Sequence, residues 1–255
     1  MIVVNCEQGS PEWHEARSGV ITASMFVVAR QKVGALTDQQ ARYVEAIRDG
    51  AQPKDAAMAA GYKTKPSSSA IERALAGEEV GDYSDAAKDY AFRLAIERIN
   101  GTPLDEGFET FAMRRGHDLE PFARAEHEAQ SGLIVDRAGF ILTDDESFGC
   151  SADGLIGSDS GAEYKCFIDP SRVRKFHIDN DPGEVFDQAQ GCMWITGRKT
   201  WHIGMYCPAL KNVGRQLWWR EFPRDDDYIE AMESDLWRFK LMVDGLEQQL
   251  RSKAA

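Results

Sequence analysis

The sequence predicts a mixed α/β protein that carries a small all-helical insertion. Strand-like runs rich in β-branched and aromatic residues alternate with helical periodicity through the second half of the chain. Residues 36–80 instead show helical signals alone, separated by their own glycine and proline residues. The length allows one large domain or two small ones, and the change in pattern separates residues 36–80 from residues 1–35 and 81–255; the family resemblance given below implies that residues 36–80 are inserted into one domain formed by the other two ranges.

The predicted elements follow from residue periodicity and from the residues that end helices. Glycine adopts the left-handed conformation at a helix end without strain, so Gly132 and Gly197 are predicted stops. Helices are predicted at residues 11–17, 22–30, 121–130 with a start near Gly116, 185–196 and 228–250. Strands are predicted at residues 133–142, 148–156, 162–168, 202–206 and 216–222, where apolar, aromatic and β-branched residues concentrate.

The inserted segment is predicted to hold three short helices within residues 36–75. Gly50 ends the first, Pro53 can occupy the first turn of the second, and Gly61 breaks the chain before the third. A compact helix–turn–helix of this size is a common DNA-reading device. Three helices that only cover or pack against the rest of the protein would show the same pattern, so both interpretations stay open.

Composition and short motifs exclude several classes of protein. The longest largely apolar run, residues 18–29, is shorter than the roughly 18 residues that a membrane span requires, and no basic signal-peptide region precedes Glu7. The five cysteines are scattered without C-x-x-C spacing, which favours reduced thiols in a cytoplasmic protein over structural zinc or an iron–sulfur cluster. Neither a phosphate-binding P-loop nor a G-x-S-x-G nucleophile motif occurs in the sequence.

The charge distribution limits the ways in which the protein could bind nucleic acid. The net charge is −12, and residues 101–160 hold 13 of the 42 acidic residues, whereas residues 161–220 carry 9 basic and 6 acidic residues. A protein that coats nucleic acid without specificity needs an excess of lysine and arginine to neutralise phosphates. The pattern is compatible with an enzyme that holds cations with carboxylates and DNA with one local basic surface.

The most informative stretch combines Asp153 with the sequence Glu163-Tyr164-Lys165. Residues 157–161 are typical of a hairpin turn, which would bring Asp153 beside Glu163. Side chains alternate along a strand, so Glu163 and Lys165 are expected on one face. Two carboxylates and a lysine suit a divalent cation such as Mg²⁺, which prefers oxygen ligands. A surface hairpin with a solvated Glu163–Lys165 pair would give the same pattern.

Other polar residues are candidates for the same site, each with an ordinary structural alternative. Glu120 lies near the predicted start of a helix, where the helix dipole favours a carboxylate in any case. The alternative is that it supplies a third carboxylate to the cation. Gln188 lies on an apolar helix, where a buried amide must be hydrogen-bonded in any case. Arg17 is either a surface ion-pair residue or a bidentate phosphate ligand. Three basic residues after the hairpin form a phosphate track or a solvated helix face: Arg172, Arg174 and Lys175.

Taken in order, these motifs resemble the phage lambda exonuclease family, the YqaJ-like viral recombinases of the PD-(D/E)-x-K nuclease superfamily. The resemblance rests on QGSPEWHEARSGVITAS, GHDLEP, SADGL, EYK and QAQGCMWITGRK, which follow one another in the family's order. It covers residues 1–30 and about 110–210, and the combination is more specific than any single motif. It implies a restriction-endonuclease-like core in which helices flank a mixed central β-sheet.

The resemblance also implies an activity and a set of site residues. The implied activity is Mg²⁺-dependent digestion of one strand of linear double-stranded DNA from 5′ to 3′, with Mn²⁺ as a substitute cation. The 3′ single strand that remains is used for phage recombination with a single-strand annealing protein. Members of the family commonly form trimeric rings around DNA. The resemblance implies no association with a membrane, and a phage-encoded member would act in the host cytoplasm.

Matching motif to motif gives each residue an implied role. The implied metal ligands are Asp153, Glu163, the main-chain carbonyl of Tyr164, and Glu120 on its helix. Lys165 matches the catalytic lysine, and Gln188 matches the glutamine beside the scissile phosphate. Implied contacts to DNA and its terminal 5′-phosphate come from Arg17, Ser24 and Ser151, with Arg172, Arg174 and Lys175 as the further basic candidates.

Two departures from the family pattern bear on these expectations. Lys165 is followed by Cys-Phe-Ile-Asp-Pro, so proline comes later than in the family and the next loop is expected to differ. The spacing from Ser24 to Glu120 is long by about the length of residues 36–80, which resemble the helix–turn–helix of phage terminase small subunits. An endonuclease of the same superfamily and a non-catalytic DNA-binding module with this fold are the remaining alternatives.

Overall fold

The computed structural model describes residues 1–78, 80–104 and 110–252 and has the predicted mixed α/β architecture. It divides into two compact units, Met1–Ala29 with Tyr90–Ala255, and Arg30–Asp89. The second unit begins before and ends after the predicted segment of residues 36–80. Within the described residues, every helix is too short or too polar to cross a membrane.

The strands are short and are separated by helices for most of the chain. They are β1 (Ile2–Val4), β2 (Ile21–Thr22), β3 (Lys32–Val33), β4 (Asp82–Tyr83), β5 (Phe140–Leu142), β6 (Phe148–Ser151), β7 (Gly154–Ile156), β8 (Ser160–Lys165), β9 (Thr200–Tyr206) and β10 (Leu217–Pro223). The helices are α1 (Pro11–Arg17), α2 (Phe26–Ala29), α3 (Asp38–Arg48), α4 (Pro53–Ala59), α5 (Ser69–Leu75), α6 (Asp85–Asn100), α7 (Phe111–Ser131), α8 (Pro170–His177), α9 (Gly183–Thr196) and α10 (Asp226–Ser252).

Two four-stranded mixed sheets form the frame of the first unit. Their strand orders are β1-β5-β6-β2 and β10-β9-β8-β7. In the second sheet β8 runs parallel to β9 and antiparallel to β7, with Gly154 opposite Ala162. The predicted strand at residues 148–156 is therefore two strands in different sheets, because the chain leaves β6 at Ser151 and enters β7 at Gly154. The residues between them include Asp153, so the sheet break itself carries a candidate site residue.

Two other predicted elements are corrected by the structure. The predicted strand at residues 133–142 contains only β5 and an isolated bridge from Asp136 to Leu155, since nothing pairs with most of its length among the described residues. The predicted helix at residues 22–30 starts as a strand, because Ile21 and Thr22 pair in parallel with β6; a 3₁₀ turn, Ala23–Met25, then leads into α2. In both cases long-range pairing decided the local structure.

The predicted helix ends are confirmed, but one predicted start is not. Gly132 and Gly197 follow α7 and α9 in the left-handed conformation, at φ of 72° and 69°. The start of α7 lies at Phe111 rather than near Gly116, because the Thr110 side chain accepts a hydrogen bond from the Met113 amide and caps the helix there. The long C-terminal helix and the helix before Gly197 are present as predicted.

Helix packing on both faces of the second sheet buries the core of the first unit. Helix α7 contacts β8, β9 and β10, while α9 contacts β9 of this sheet and also β5 and β6 of the other. Trp201 on β9 is fully buried against Gly161 on β8, where a Cβ atom would lie 2.3 Å from the indole ring. A glycine is therefore required at that position for the tryptophan to pack.

The second unit has its own small core. Helices α3, α4 and α5 bury Tyr43, Ala56 and Ile71 against one another, and the Tyr62 ring meets the Tyr43 ring edge-on at 6.3 Å. A capping box formed by Thr37 and Gln40 starts α3. The three predicted helices are confirmed, and β3 pairs with β4 to close the unit outside the predicted segment.

Candidate active site

A cleft of about 510 Å³ in the first unit brings together most of the candidate site residues. It lies where the residue before β7, the end of β8 and helices α1, α7, α8 and α9 meet. The candidates that line it are Arg17, Ser24, Glu120, Ser151, Asp153, Glu163, Tyr164, Lys165, Arg172 and Gln188. Arg174 and Lys175 are on α8 but are not among the described lining residues, and Arg174 instead pairs with Asp179 at 2.7 Å.

The hairpin holds two buried carboxylates next to each other. Asp153 immediately precedes β7 and lies across from Glu163 on β8; the two residues are 7% and 3% exposed. Asp153 Oδ2 accepts a hydrogen bond from the Tyr164 amide at 2.6 Å. Burial raises the pKa of Asp153 well above its ordinary value, and the nearby carboxylates of Glu163 and Glu120 raise it further. A cation bound beside these carboxylates would oppose that effect.

The third carboxylate of the site, that of Glu120, is held by an arginine that the sequence analysis did not identify. Arg124, one helical turn after Glu120 on α7, forms an ion pair with it and donates a hydrogen bond to the Asp153 carbonyl oxygen at 2.8 Å. Burial raises the pKa of Glu120 although Arg124 lowers it. Its i,i+4 spacing from Glu120 was the available signal for Arg124, but that spacing also describes an ordinary surface pair.

Lys165 is fixed between the carboxylates and the amide on α9. Its Nζ donates to Glu163 Oε1 at 2.6 Å and to Gln188 Oε1 at 3.0 Å. Burial works against the charged ammonium, but the carboxylates of Glu163 and Asp153 outweigh it and raise the pKa of Lys165. The lysine is therefore a charged group in a fixed position, and Gln188 is one of the two groups that fix it.

The donor set fits a hard divalent cation. Glu163 Oε2 is buried and has no hydrogen-bond partner among the described residues, which leaves one carboxylate oxygen available to a ligand. Across residues 1–78, 80–104 and 110–252, no three Asp, Glu, His or Cys side chains gather into a ready-made metal cluster. A cation here would take Asp153 and Glu163 together with main-chain and water oxygens, a mixed shell that suits Mg²⁺ because it gives up its waters reluctantly.

The other end of the cleft presents a partly buried guanidinium. Arg17 Nη1 donates to Ser151 Oγ at 3.3 Å, and its guanidinium lies 4.1 Å from the Trp13 ring centroid. The Trp13 indole N–H also donates to Ser151 Oγ, at 2.8 Å, and the Ser24 and Thr22 hydroxyls are 3.3 Å apart. Burial lowers the pKa of Arg17, but arginine remains charged at any physiological pH.

The sequence analysis assigned no role to Trp13, because its hydrogen-bond partner, Ser151, is 138 residues away. It orders both Arg17 and Ser151, so an arginine fork and two hydroxyls share one small region of the cleft. This combination can bind a phosphate group, because guanidinium and hydroxyl donors match phosphate oxygens.

The loop after Lys165 and the residues around it complete the lining. The guanidinium of Arg172 lies 3.2 Å from the Phe167 ring centroid, and its Nε donates to Glu184 at 3.0 Å. Arg115 Nη1 donates to the Cys166 carbonyl at 2.6 Å and thereby ties the loop to α7. His117 lines this cleft and an adjoining cleft of about 600 Å³, and the sequence analysis gave it no role.

Comparisons with known proteins agree with this fold. The sequence pattern of the YqaJ-like viral recombinase domain matches residues 60–199. Two crystal structures of an alkaline exonuclease (LHK-Exo) from Laribacter hongkongensis, one in complex with dAMP, are 24% identical over 96% of this chain and 98% of theirs, with TM-scores of 0.69 and 0.68. A phage-related exonuclease from Haemophilus somnus 129PT is 14% identical over 90% of this chain and 100% of its own, with a TM-score of 0.54. None of the curated proteins matches.

Proposed function

Because the chain belongs to the YqaJ-like viral recombinase family, we propose that it is a metal-dependent exonuclease acting on linear double-stranded DNA. The proposal rests above all on the cleft in which buried Asp153 and Glu163 adjoin the fixed ammonium of Lys165. All three similar structures are of exonucleases, which supports the proposal. Digestion runs from 5′ to 3′ and leaves a 3′ single strand for recombination.

In the proposed reaction the chain supplies ligands, a positive charge and phosphate contacts. Asp153, Glu163 and the Tyr164 carbonyl would hold Mg²⁺ or Mn²⁺, which when bound polarises the phosphodiester and acidifies a water molecule. Lys165 stabilises negative charge that develops on the scissile phosphate, since an ammonium already fixed in place needs no reorganisation. Glu120 adds a third carboxylate at the edge of the same site.

The region around Arg17 is proposed to bind the terminal 5′-phosphate. Arg17, Ser24 and Ser151 lie in the same cleft as the carboxylates, so one strand end can contact both regions. We further propose that the basic residues of α8, including Arg174 and Lys175, contact the DNA backbone. A single-strand annealing protein as partner and a trimeric ring are proposed on the family resemblance alone.

Arg17→Ala is expected to remove the advantage of a 5′-phosphate over a 5′-hydroxyl. A guanidinium contact to phosphate contributes about 1.5–3 kcal/mol, so the wild-type preference should be about 10- to 150-fold and should largely disappear in the variant. The measurement is the initial digestion rate on two linear duplexes that differ only at the 5′ end. Arg238→Ala, at an exposed arginine on α10, is the matched control. Equal wild-type rates on the two ends would refute the role of Arg17.

The proposed function is tested with linear and covalently closed circular forms of one duplex. Strand-specific labels at the 5′ and 3′ ends of the linear form report the direction of digestion. We expect mononucleotide release from the 5′ end of the linear form and no cleavage of the circle. Cleavage of the circle would indicate an endonuclease, and binding without cleavage of either form would indicate a non-catalytic DNA-binding module.

A further inference from the structure

A buried line of side-chain hydrogen bonds crosses the second sheet behind the cleft, and none of these side chains has a part in the reaction described above. Tyr164 Oη lies 2.7 Å from His127 Nδ1, and His127 Nε2 lies 3.0 Å from His202 Nδ1. His202 Nε2 in turn lies 3.0 Å from Glu221 Oε2. Both histidines are buried, at 0% and 2% exposed, whereas the Glu221 side chain is 55% exposed. We call these four residues the Tyr–His–His–Glu line.

The solvent-exposed carboxylate of Glu221 determines which atom donates and which accepts in every hydrogen bond of this line. An ionised carboxylate only accepts hydrogen bonds, so His202 Nε2 must carry the hydrogen that it shares with Glu221. A neutral imidazole has one N–H, which leaves His202 Nδ1 to accept from His127 Nε2–H. His127 Nδ1 then accepts from the Tyr164 hydroxyl. The reverse order would set a bare His202 nitrogen against the carboxylate, which is repulsive.

This bonding order requires both imidazoles to be neutral, since each accepts a hydrogen bond through one ring nitrogen and donates through the other. A charged imidazole at either position would reverse the Tyr164–His127 bond, so that the hydroxyl accepts it and no longer donates its own hydrogen to His127.

An indole ring holds the two histidines in place. The Trp219 ring is parallel to the His202 ring within 4°, with centroids 5.3 Å apart, and lies 4.6 Å from the His127 ring. Its N–H donates to Gln130 Oε1 on α7 at 3.1 Å. The line is therefore packed as well as hydrogen-bonded, so its geometry has little freedom.

The line joins the two elements that carry the candidate catalytic groups. His127 lies on α7, the helix of Glu120 and Arg124, and Arg124 in turn binds the Asp153 carbonyl. Tyr164 lies on β8 between Glu163 and Lys165, and its side chain faces α7. Any sliding of α7 along β8 would break the Tyr164–His127 bond and would move Glu120 away from the other carboxylates.

We propose that the Tyr–His–His–Glu line positions Glu120 relative to Asp153 and Glu163, which rests on the proposed nuclease function. His127, His202 and Glu221 are then positioning residues, because they act through α7 and do not touch DNA or the cation. The line is anchored at the surface by Glu221, whose negative charge fixes the order of all three hydrogen bonds.

Glu221→Leu tests the positioning role from the exposed end of the line, where the fold is least at risk. We expect the single-turnover rate at saturating DNA to fall about fivefold, with DNA affinity unchanged and more Mg²⁺ needed for half the maximal rate. Glu221→Gln keeps an acceptor oxygen and should restore most of the rate. Tyr164→Phe, at the other end, should reproduce the Glu221→Leu effect, and Glu230→Leu on α10 is the control for an exposed glutamate.

Nitrogen-detected NMR of the histidine side chains tests the line without any need for activity. In the full-length protein free of DNA and metal, we expect His127 and His202 both to be neutral Nε2–H tautomers. An Nδ1–H tautomer at either residue overturns the line. Wild-type rates and Mg²⁺ requirements in both Glu221→Leu and Tyr164→Phe overturn its positioning role. Failure of the proposed function is seen separately, as wild-type protein that cleaves no DNA at any Mg²⁺ concentration.

Discussion

Lys165→Ala is expected to lower the single-turnover rate of DNA cleavage by about 10²- to 10³-fold while folding and DNA affinity stay close to wild type. The loss is large because the Lys165 ammonium is held at 2.6 Å from Glu163 and 3.0 Å from Gln188, and alanine leaves no charge in its place. Affinity is spared because the interaction strengthens mainly in the transition state, when charge develops on the phosphate.

The measurement pairs single-turnover cleavage with an independent binding assay without divalent metal. Lys199→Ala is the matched control, since that lysine is 73% exposed and pairs only with Asp159 among the described residues. A rate for Lys165→Ala within a few-fold of wild type would show that Lys165 does not act in catalysis. A parallel loss of affinity and thermal stability would indicate a structural role instead.

Asp153→Asn is expected to abolish metal-dependent cleavage and, in metal-free buffer, to raise the melting temperature. The pKa of Asp153 is raised in the folded protein by burial and by Glu163 and Glu120, so the folded state binds the proton more tightly than the unfolded state does. Stability is therefore lost as pH rises from the ordinary carboxyl pKa through the raised one. Asparagine removes this loss and can still accept the Tyr164 amide hydrogen bond.

Thermal unfolding from acid to neutral pH, with and without Mg²⁺, measures both effects. The stability gain of Asp153→Asn should be small at acid pH and should grow as pH rises. Mg²⁺ should stabilise the wild type and leave the variant unchanged, because a ligand stabilises only the form that binds it. Asp159→Asn, at a 58% exposed carboxylate, is the control. Wild-type cleavage by Asp153→Asn, or a melting temperature below wild type at neutral pH, would contradict this assignment.

Local patterns predicted the central part of the candidate site. The hairpin turn and the alternation along β8 were sufficient to place Asp153 beside Glu163, and Glu163 on the same face as Lys165, because these residues are close in sequence. Glycine stops predicted the ends of α7 and α9 for the same reason, since a helix end depends on a few consecutive residues.

The rest of the site depends on contacts that local periodicity does not encode. The Trp13–Ser151 bond joins residues 138 positions apart, and the His127–His202 bond joins residues 75 positions apart. Long-range pairing also places Thr22, the first residue of a predicted helix, in strand β2. In each case the sequence shows the residue type, but the residue with which it forms a hydrogen bond or a strand pair is known only from the folded structure.

The central claim is that Asp153, Glu163 and Lys165 together cleave DNA with a divalent cation. The most direct test is the single-turnover cleavage rate of a linear 5′-phosphorylated duplex by wild-type protein, measured from excess EDTA through increasing Mg²⁺. We predict no cleavage in EDTA and a rate that rises to saturation with Mg²⁺ or Mn²⁺, with Ca²⁺ supporting little cleavage because its looser coordination positions water poorly. Full cleavage in excess EDTA would contradict the account.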